Sequence, residues 1–421
     1  MAEKIVSLKQ AAWWPEEAYP LHLTFPEKWE IIECKMVGHD AKPLSDEKIK
    51  AALARPYGTK TISELAVGKK DAVIIFDDLT RPTPTYKIIP HVLEELHKAG
   101  LNDDHIEFMA GLGCHRPLTY EDMVKKLGET VVETYMVFNH NVWDNFTDLG
   151  VTSRGTPVKI NAEVMSCDLK IGIGCNVPHS IAGFGGGAKI ILPGVASMET
   201  IVHNHSIVAG YPQRKPGIGQ GMLKNNEARF DMEEVAKMAG LDFKIDVVLN
   251  GEREVAAVFA GDFVAEHRAG CEFVKKFYAT ESFEGADIVV SNAYPQEDEA
   301  IKAIWAANAS VKEGGDVVIV CHTPEGQIPH YGSGDWGKVY GGPLRPQIEE
   351  RSRMPKAKRV IVYNKYKKKA DFGHFGIPHE IIWLKTWDEV LEILSADFPE
   401  KARVAVYPCA ALQCPPFPPD Y

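Results

Sequence analysis

The feature that most constrains this chain is a repeated local pattern. A short Val- and Ile-rich run gives way to a loop of Gly, Pro and charged residues, and a helical stretch follows. Residues 71–76 (DAVIIF) read as a buried strand. They run into DDLTRPTP, which the prolines at 82 and 84 force into a loop. A helix is expected over 88–99, a second strand over 105–110, the turn GLGCHRPLT, and a helix over 121–127. The pattern returns with a strand over 167–172, the glycine-rich GCNVPHSIAGFGGGAKIILPG, and a helix over 198–208. Residues 245–249 and 254–259 read as a strand pair joined through Asn250-Gly251, with a helix inside 262–278. Composition restarts near Glu281. Strands at 287–291, 315–321, 359–363 and 403–407 then alternate with helices at 299–309 and 387–396.

Alternation of this kind predicts the α/β class, with mainly parallel sheets covered by helices. Two domains are expected: 1–278, to which 400–421 can return, and 279–399, with an active-site cleft between them. Ligand sites in such sheets lie beyond the carboxyl ends of strands, where Asp78, Arg81, His115 and His179 all fall.

Bulk properties narrow the function. The 421 residues carry 47 basic and 58 acidic side chains, a net charge of -11. That balance argues against nucleic-acid binding while leaving room for a local anion pocket. The basic run 365–369 reads as a solvated charged turn. No run approaches the ~20 apolar residues of a membrane helix, and MAEKIVSLKQAAWWPEE lacks a signal-type apolar core. The eight cysteines form no CxxC pair, so neither a disulfide framework nor a zinc knuckle is expected. Together these predict a cytoplasmic protein of buried thiols.

The candidate chemistry sits in three segments. Asp78, Thr80 and Arg81 place an acid, a hydroxyl and a guanidinium in one rigid loop. Arg81 suits a phosphate or carboxylate, and Asp78 either accepts from a ribose hydroxyl or braces Arg81. His115 follows a strand in a Gly-rich turn, where imidazole can shuttle protons near neutrality. In the third segment, glycines 183, 185, 186 and 187 leave the backbone bare for a cofactor or a phosphate. Lys189 follows, beside the apolar Ile190-Ile191-Leu192, where loss of solvation raises amine reactivity. The segment has neither the P-loop nor the GxGxxG spacing. His203 and His205 are two apart, so on a helix only one can enter a site. One imidazole cannot complete a metal site, so the other ligands of any metal there come from elsewhere, such as a cofactor.

In this order the motifs resemble the nickel-pincer-nucleotide-dependent lactate racemase family. They are DxTRP (Asp78, Thr80, Arg81, Pro82), GxHRPxT (Gly113, His115, Arg116, Pro117, Thr119), H-x9-K-x3-PG (His179, Lys189, Pro193, Gly194) and NH (Asn204, His205), across most of 50–270. The resemblance implies a pyridinium-3-thioamide-5-thiocarboxylate mononucleotide joined to Lys189, with nickel completed by His205. It places Asp78, Thr80 and Arg81 around the nucleotide or substrate. It also implies racemisation or epimerisation at C2 of a 2-hydroxy acid by hydride transfer, with His115 and His179 as the two proton-transfer groups. Enzymes that build the cofactor are implied partners. A different reaction of the same cofactor, or a cofactor carrier, is the alternative reading.

The second half departs from that family. Its pattern after Tyr-Pro is a helix bearing Tyr-Gln and, three residues after the Gln, Lys. Here Ile301 and Lys302 take the first two places and Trp305 the third. That implies an acid other than lactate, with Arg81, Lys302 and Trp305 as substrate-binding candidates. The region 321–326, with His330, Asp335 and Trp336, is a further candidate for shaping specificity.

Overall fold

The computed structural model describes residues 3–14, 20–207, 217–328 and 352–417. His330, Asp335 and Trp336 lie outside them. Two six-stranded sheets organise the chain. In spatial order the first is Val255–Gly261, Phe243–Leu249, Leu169–Cys175, Ala72–Asp77, Ile106–Gly111 and Met136–Asn139. All its pairings are parallel except the first, where the hairpin around Asn250-Gly251 runs antiparallel. The second sheet is Ile381–Leu384, Ala357–Tyr363, Val311–Val320, Ala286–Asn292, Arg403–Tyr407 and Glu30–Glu33, parallel throughout. The α/β class with mainly parallel sheets is therefore observed.

The central strands explain themselves. Every residue of Ala72–Asp77, Leu169–Cys175 and Phe243–Leu249 is buried. Strands covered on both faces need apolar side chains pointing both ways, which is why these runs do not alternate. The helices Ile89–Lys98 and Tyr120–Leu127 pack around this sheet. The first turns Ile89, Val92 and Leu96 inward. A capping box between Thr119 and Asp122 starts the second. All eight cysteines are buried free thiols. Among the described residues no helix is long and apolar enough to cross a membrane.

Two details depart from the sequence reading. A boundary at 278/279 with only the C-terminal segment returning does not follow the sheets. The hairpin Glu3–Leu8/Leu21–Pro26 and the strand Glu30–Glu33 belong with the second sheet, where Val6, Leu23, Phe25 and Trp29 share a core with Ile288, Val318 and Trp387. At the other end, Arg403–Tyr407 sits inside the second sheet, and the chain then returns to the first core through Cys409, Leu412 and Cys414. The expected helix 299–309 is also broken. Glu297–Ala303 is a 3-10 segment interrupted at Glu299 (φ -111°, ψ 42°), and the α-helix proper is Ile304–Ser310.

Candidate functional site

The strands Leu169–Cys175, Ala72–Asp77 and Ile106–Gly111 are parallel neighbours, so their carboxyl ends open side by side. Three loops leave from there, carrying His179, Asp78–Arg81 and His115. A pocket forms among them, lined by Asp78, Thr80, Arg81, His115, Cys175 and Lys189.

Asp78 is the hub of this pocket. Its Oδ1 accepts the Thr80 backbone N–H at 3.0 Å and the Thr80 hydroxyl at 2.6 Å. Its Oδ2 lies 2.7 Å from His115 Nδ1. Burial alone raises the carboxyl's pKa, but the His115 ring, with Arg81 and Thr80 beside it, brings it down to about 2. Thr80 in turn accepts from Arg81 Nη1 at 2.8 Å. The hydroxyl of Thr80, expected to meet a cofactor, lines the pocket and braces the loop between Asp78 and Arg81.

One residue the sequence reading passed over holds this loop from below. Lys126, fully buried in the last turn of Tyr120–Leu127, meets Asp77 Oδ1 at 2.6 Å and donates to the carbonyls of Asp78 and Arg81 at 2.9 Å each. Asp77 also accepts from Thr83 Oγ1 at 2.5 Å. Two consecutive acids at the end of a buried strand were the available signal, because a buried carboxylate requires a cation or several donors.

The glycine-rich segment lines the pocket through Gly186 and is packed tightly against protein where its Cβ atoms would stand. A Cβ on Gly186 would stand 2.2 Å from Asp246 Oδ2, and one on Gly187 would stand 2.8 Å from the His267 ring. Gly186 also has φ 76° and ψ -170°, a region essentially reserved for glycine. The segment is clamped from behind. Asp246 Oδ2 accepts Gly187 N–H at 2.6 Å, His267 Nε2 donates to Gly185 O at 2.9 Å, and Arg229 donates to the carbonyls of Ala182, Phe184 and Gly186. Lys244 pairs with Asp246 beneath. These contacts fix Lys189, two residues beyond Gly187.

Lys189 itself sits in an enclosed setting. Desolvation, reinforced by the Arg81 and Arg229 charges, pushes its pKa well below that of a free lysine, which favours the neutral, nucleophilic amine. His205, on the helix Met198–Ser206, has Nδ1 2.9 Å from Ile201 O, and burial takes its pKa down to about 4. His203 turns away to Thr156 Oγ1 at 2.9 Å, and Asn204 is tied to Asp231 and Ala228. His179 lies in the small hairpin Pro178–His179/Gly183–Phe184, where its Nδ1 receives the N–H groups of Ile181 and Ala182 at 3.2 Å each.

The second sheet contributes one side of the site. Glu299 Oε1 accepts from Arg81 Nη1 at 3.0 Å, and the other oxygen pairs with Lys302. Gln296 Nε2 donates to Thr80 O at 2.7 Å. Arg116 of the HRP turn reaches both Asp122 at 2.7 Å and Glu325. Lys302 bears electrostatically on His179 and Lys189, so it belongs to the cluster. Trp305 does not join them: its indole N–H donates to Ala410 O at 2.8 Å, and its ring packs edge-on against Tyr407. The break at Glu299 sets Lys302 and Trp305 on different pieces of helix, so the spacing of one continuous helix does not apply.

The residues present fit a nickel-pincer nucleotide. Among the described residues no group of three or more His, Cys, Asp or Glu could hold a metal, and His205 offers one imidazole. A metal that brings its other donors on a cofactor suits that set, and a Lys189 whose pKa is lowered by desolvation suits covalent attachment.

Comparison with known proteins agrees. A family model described as the lactate racemase N-terminal domain matches residues 17–217. The lactate racemase of Thermoanaerobacterium thermosaccharolyticum is 33% identical over 311 residues, 72% of this chain and 71% of that protein. That of Lactiplantibacillus plantarum is 36% identical over 295 residues, 68% of each. The solved apoprotein structure of the Thermoanaerobacterium thermosaccharolyticum lactate racemase matches with a TM-score of 0.73 at 27% identity, over 98% of this chain and 99% of that one. A Thermotoga maritima protein matches with a TM-score of 0.63 at 17% identity, over 88% of this chain and 98% of that one, and shows a common fold alone. On the sequence motifs, the fold and these relatives, the chain belongs to the lactate racemase family, the nickel-pincer nucleotide family.

Proposed function

We propose that this protein racemises or epimerises a 2-hydroxy acid at C2, with a nickel-pincer nucleotide held by Lys189 and His205. The observation that carries the proposal is the joint state of those two residues. Desolvation pushes the Lys189 pKa well below that of a free lysine, which favours the neutral amine, and His205 Nδ1 is committed to the Ile201 carbonyl, which leaves Nε2 for a metal. When bound, such a cofactor supplies a reversible hydride acceptor for C2. The chain supplies the rest. Arg81 and Lys302, which share Glu299, provide positive charge for the substrate carboxylate. His115, oriented by Asp78, lies at the same pocket to move the hydroxyl proton, and His179 faces the cluster from the next loop. The reaction takes place in a cleft between the two sheets, across which Arg81 meets Glu299. Enzymes that make and load the cofactor are required partners. Lys302 in place of the family's Gln directs the pocket to an acid other than lactate.

The test has two readings. Protein from a nickel-supplied host with the maturation enzymes is mapped by mass spectrometry for a sulfur-rich, nucleotide-sized adduct on the Lys189 peptide. The loaded protein is then given a panel of C2-deuterated 2-hydroxy acids. The expected product is the other C2 stereoisomer with deuterium retained. Complete exchange of deuterium with solvent, or a bare Lys189 in a host that loads a family member, refutes the proposal.

A further inference from the structure

The imidazoles of the site differ in which nitrogen carries the proton, and their partners reveal it. A carboxylate or carbonyl oxygen can only accept, and a backbone N–H can only donate. His115 Nδ1 faces Asp78 Oδ2 at 2.7 Å, so Nδ1 carries hydrogen, and in the neutral ring the lone pair is therefore on Nε2. The same holds for His205, whose Nδ1 faces Ile201 O at 2.9 Å. His179 is the reverse. Its Nδ1 receives two backbone N–H groups, from Ile181 and Ala182, each at 3.2 Å. That nitrogen must be bare, so the proton of the neutral ring sits on Nε2. A doubly protonated ring would aim a third N–H at those two donors. Desolvation, with the charges of Lys189, Lys302 and Arg81, works against the charged ring as well.

We infer that His115 and His179 are an unlike pair in the resting enzyme, with His115 presenting a lone pair through Nε2, His179 presenting an N–H through Nε2, and Asp78 serving as the positioning residue for His115. The inference rests on the proposed function for its chemical use. His115 takes the proton of the substrate hydroxyl: the O–H bond breaks, an N–H bond forms on Nε2, and the electron pair stays on the substrate oxygen. Asp78 stabilises the resulting imidazolium without taking its proton. His179 instead donates a hydrogen bond to a substrate oxygen. It accepts a proton at Nε2 only after the hydrogen already there has been given up and Nδ1, released from the amides of Ile181 and Ala182, has taken one up. The two hands of a substrate therefore meet an unsymmetrical site, in contrast to two interchangeable bases.

The hairpin explains why this tautomer is built in. His179 pairs with Gly183 across the two-stranded turn, so the loop that carries the ring also supplies the two amides that hold it. Rotating the ring out of reach costs the hairpin two hydrogen bonds.

The tautomers can be read without cofactor. Long-range proton–nitrogen correlation spectra of the 15N-labelled apoprotein, assigned with His115→Gln and His179→Gln variants, report which ring nitrogen is protonated. The expected result is protonated Nε2 with bare Nδ1 for His179, and the opposite for His115. Protonation of His179 at Nδ1, or the same tautomer on both rings, overturns the inference. In a folded Asp78→Asn variant, His115 is expected to lose its Nδ1–H form while His179 keeps its own. Retention of the His115 form there overturns the positioning role of Asp78. Because these spectra use unloaded protein, they remain interpretable if the Lys189 adduct test fails.

Discussion

Replacing Gly186 by alanine separates two reasons for the glycine-rich segment. If the glycines were there to admit a ligand, an added methyl would leave the apoprotein's stability nearly intact. The structure predicts otherwise. At φ 76° and ψ -170° a non-glycine residue costs about 1–3 kcal/mol. The new Cβ would also lie 2.2 Å from Asp246 Oδ2, the oxygen that accepts Gly187 N–H at 2.6 Å. Displacing that charge-assisted bond adds about 1.5–3 kcal/mol. The total is about 2.5–6 kcal/mol. Gly128 provides the control. It has φ 90° and ψ 148°, a similar backbone, but a Cβ added there would meet nothing within 4 Å. Gly128→Ala should carry the backbone penalty alone. Urea unfolding of the two apoproteins, followed by tryptophan fluorescence, gives the difference directly. A gap of about 1.5–3 kcal/mol is expected, together with poor loading of Lys189 in Gly186→Ala. Equal stability of the two variants would refute the claim that this segment is a packed clamp.

Three further outcomes follow from named contacts. Lys126→Met should destabilise the apoprotein by about 3–5 kcal/mol in the same unfolding assay, because Asp77 is left buried without its cation. His140 is buried, donates through Nε2 to Ala196 O, accepts at Nδ1 from Asn161 Nδ2, and is drawn by desolvation from 6.5 to about 4. Its folded value lies below its unfolded one, so its contribution is fully present above pH 6.5 and is lost as pH falls toward 4, by up to ~3 kcal/mol. His140→Gln should reduce the pH slope of stability in that window by up to one proton. Trp305→Phe should leave the KM of the loaded enzyme for its acid unchanged while costing about 1–3 kcal/mol in unfolding, since the bond to Ala410 O and part of the ring packing against Tyr407 are removed. A selective rise in KM would return Trp305 to the substrate pocket.

What the sequence disclosed follows from how locally each feature is determined. Doubly buried strands such as Ala72–Asp77 announce themselves, because a continuous Val/Ile run has few other uses. The motif residues Asp78, His115 and Lys189 were legible for the same reason: each lies just beyond a strand or in a run with distinctive spacing. Partners supplied from far along the chain were not. Lys126 reads as one more helix lysine until it is found under Asp77, and Glu299 reads as a helix acid until it bridges Arg81 and Lys302. The purpose of Gly186 was likewise hidden, because its neighbour Asp246 is sixty residues away in sequence (Gly186 to Asp246). The place of Trp305 was not legible because the irregular turn at Glu299 breaks the regular helix expected over 299–309.

The strand Glu30–Glu33 and the return through Cys409–Cys414 have a consequence for exchanging parts between relatives. Each sheet borrows chain from the opposite end of the sequence, so a chimaera joined once, near 278, would graft the second sheet without the hairpin that covers it. A transplant of the second sheet should carry residues 3–33 together with 279–407, and leave the Cys409–Cys414 stretch matched to the recipient's first core. Inheritance in this architecture runs by sheet, and a recombination map with a single crossover cannot follow it.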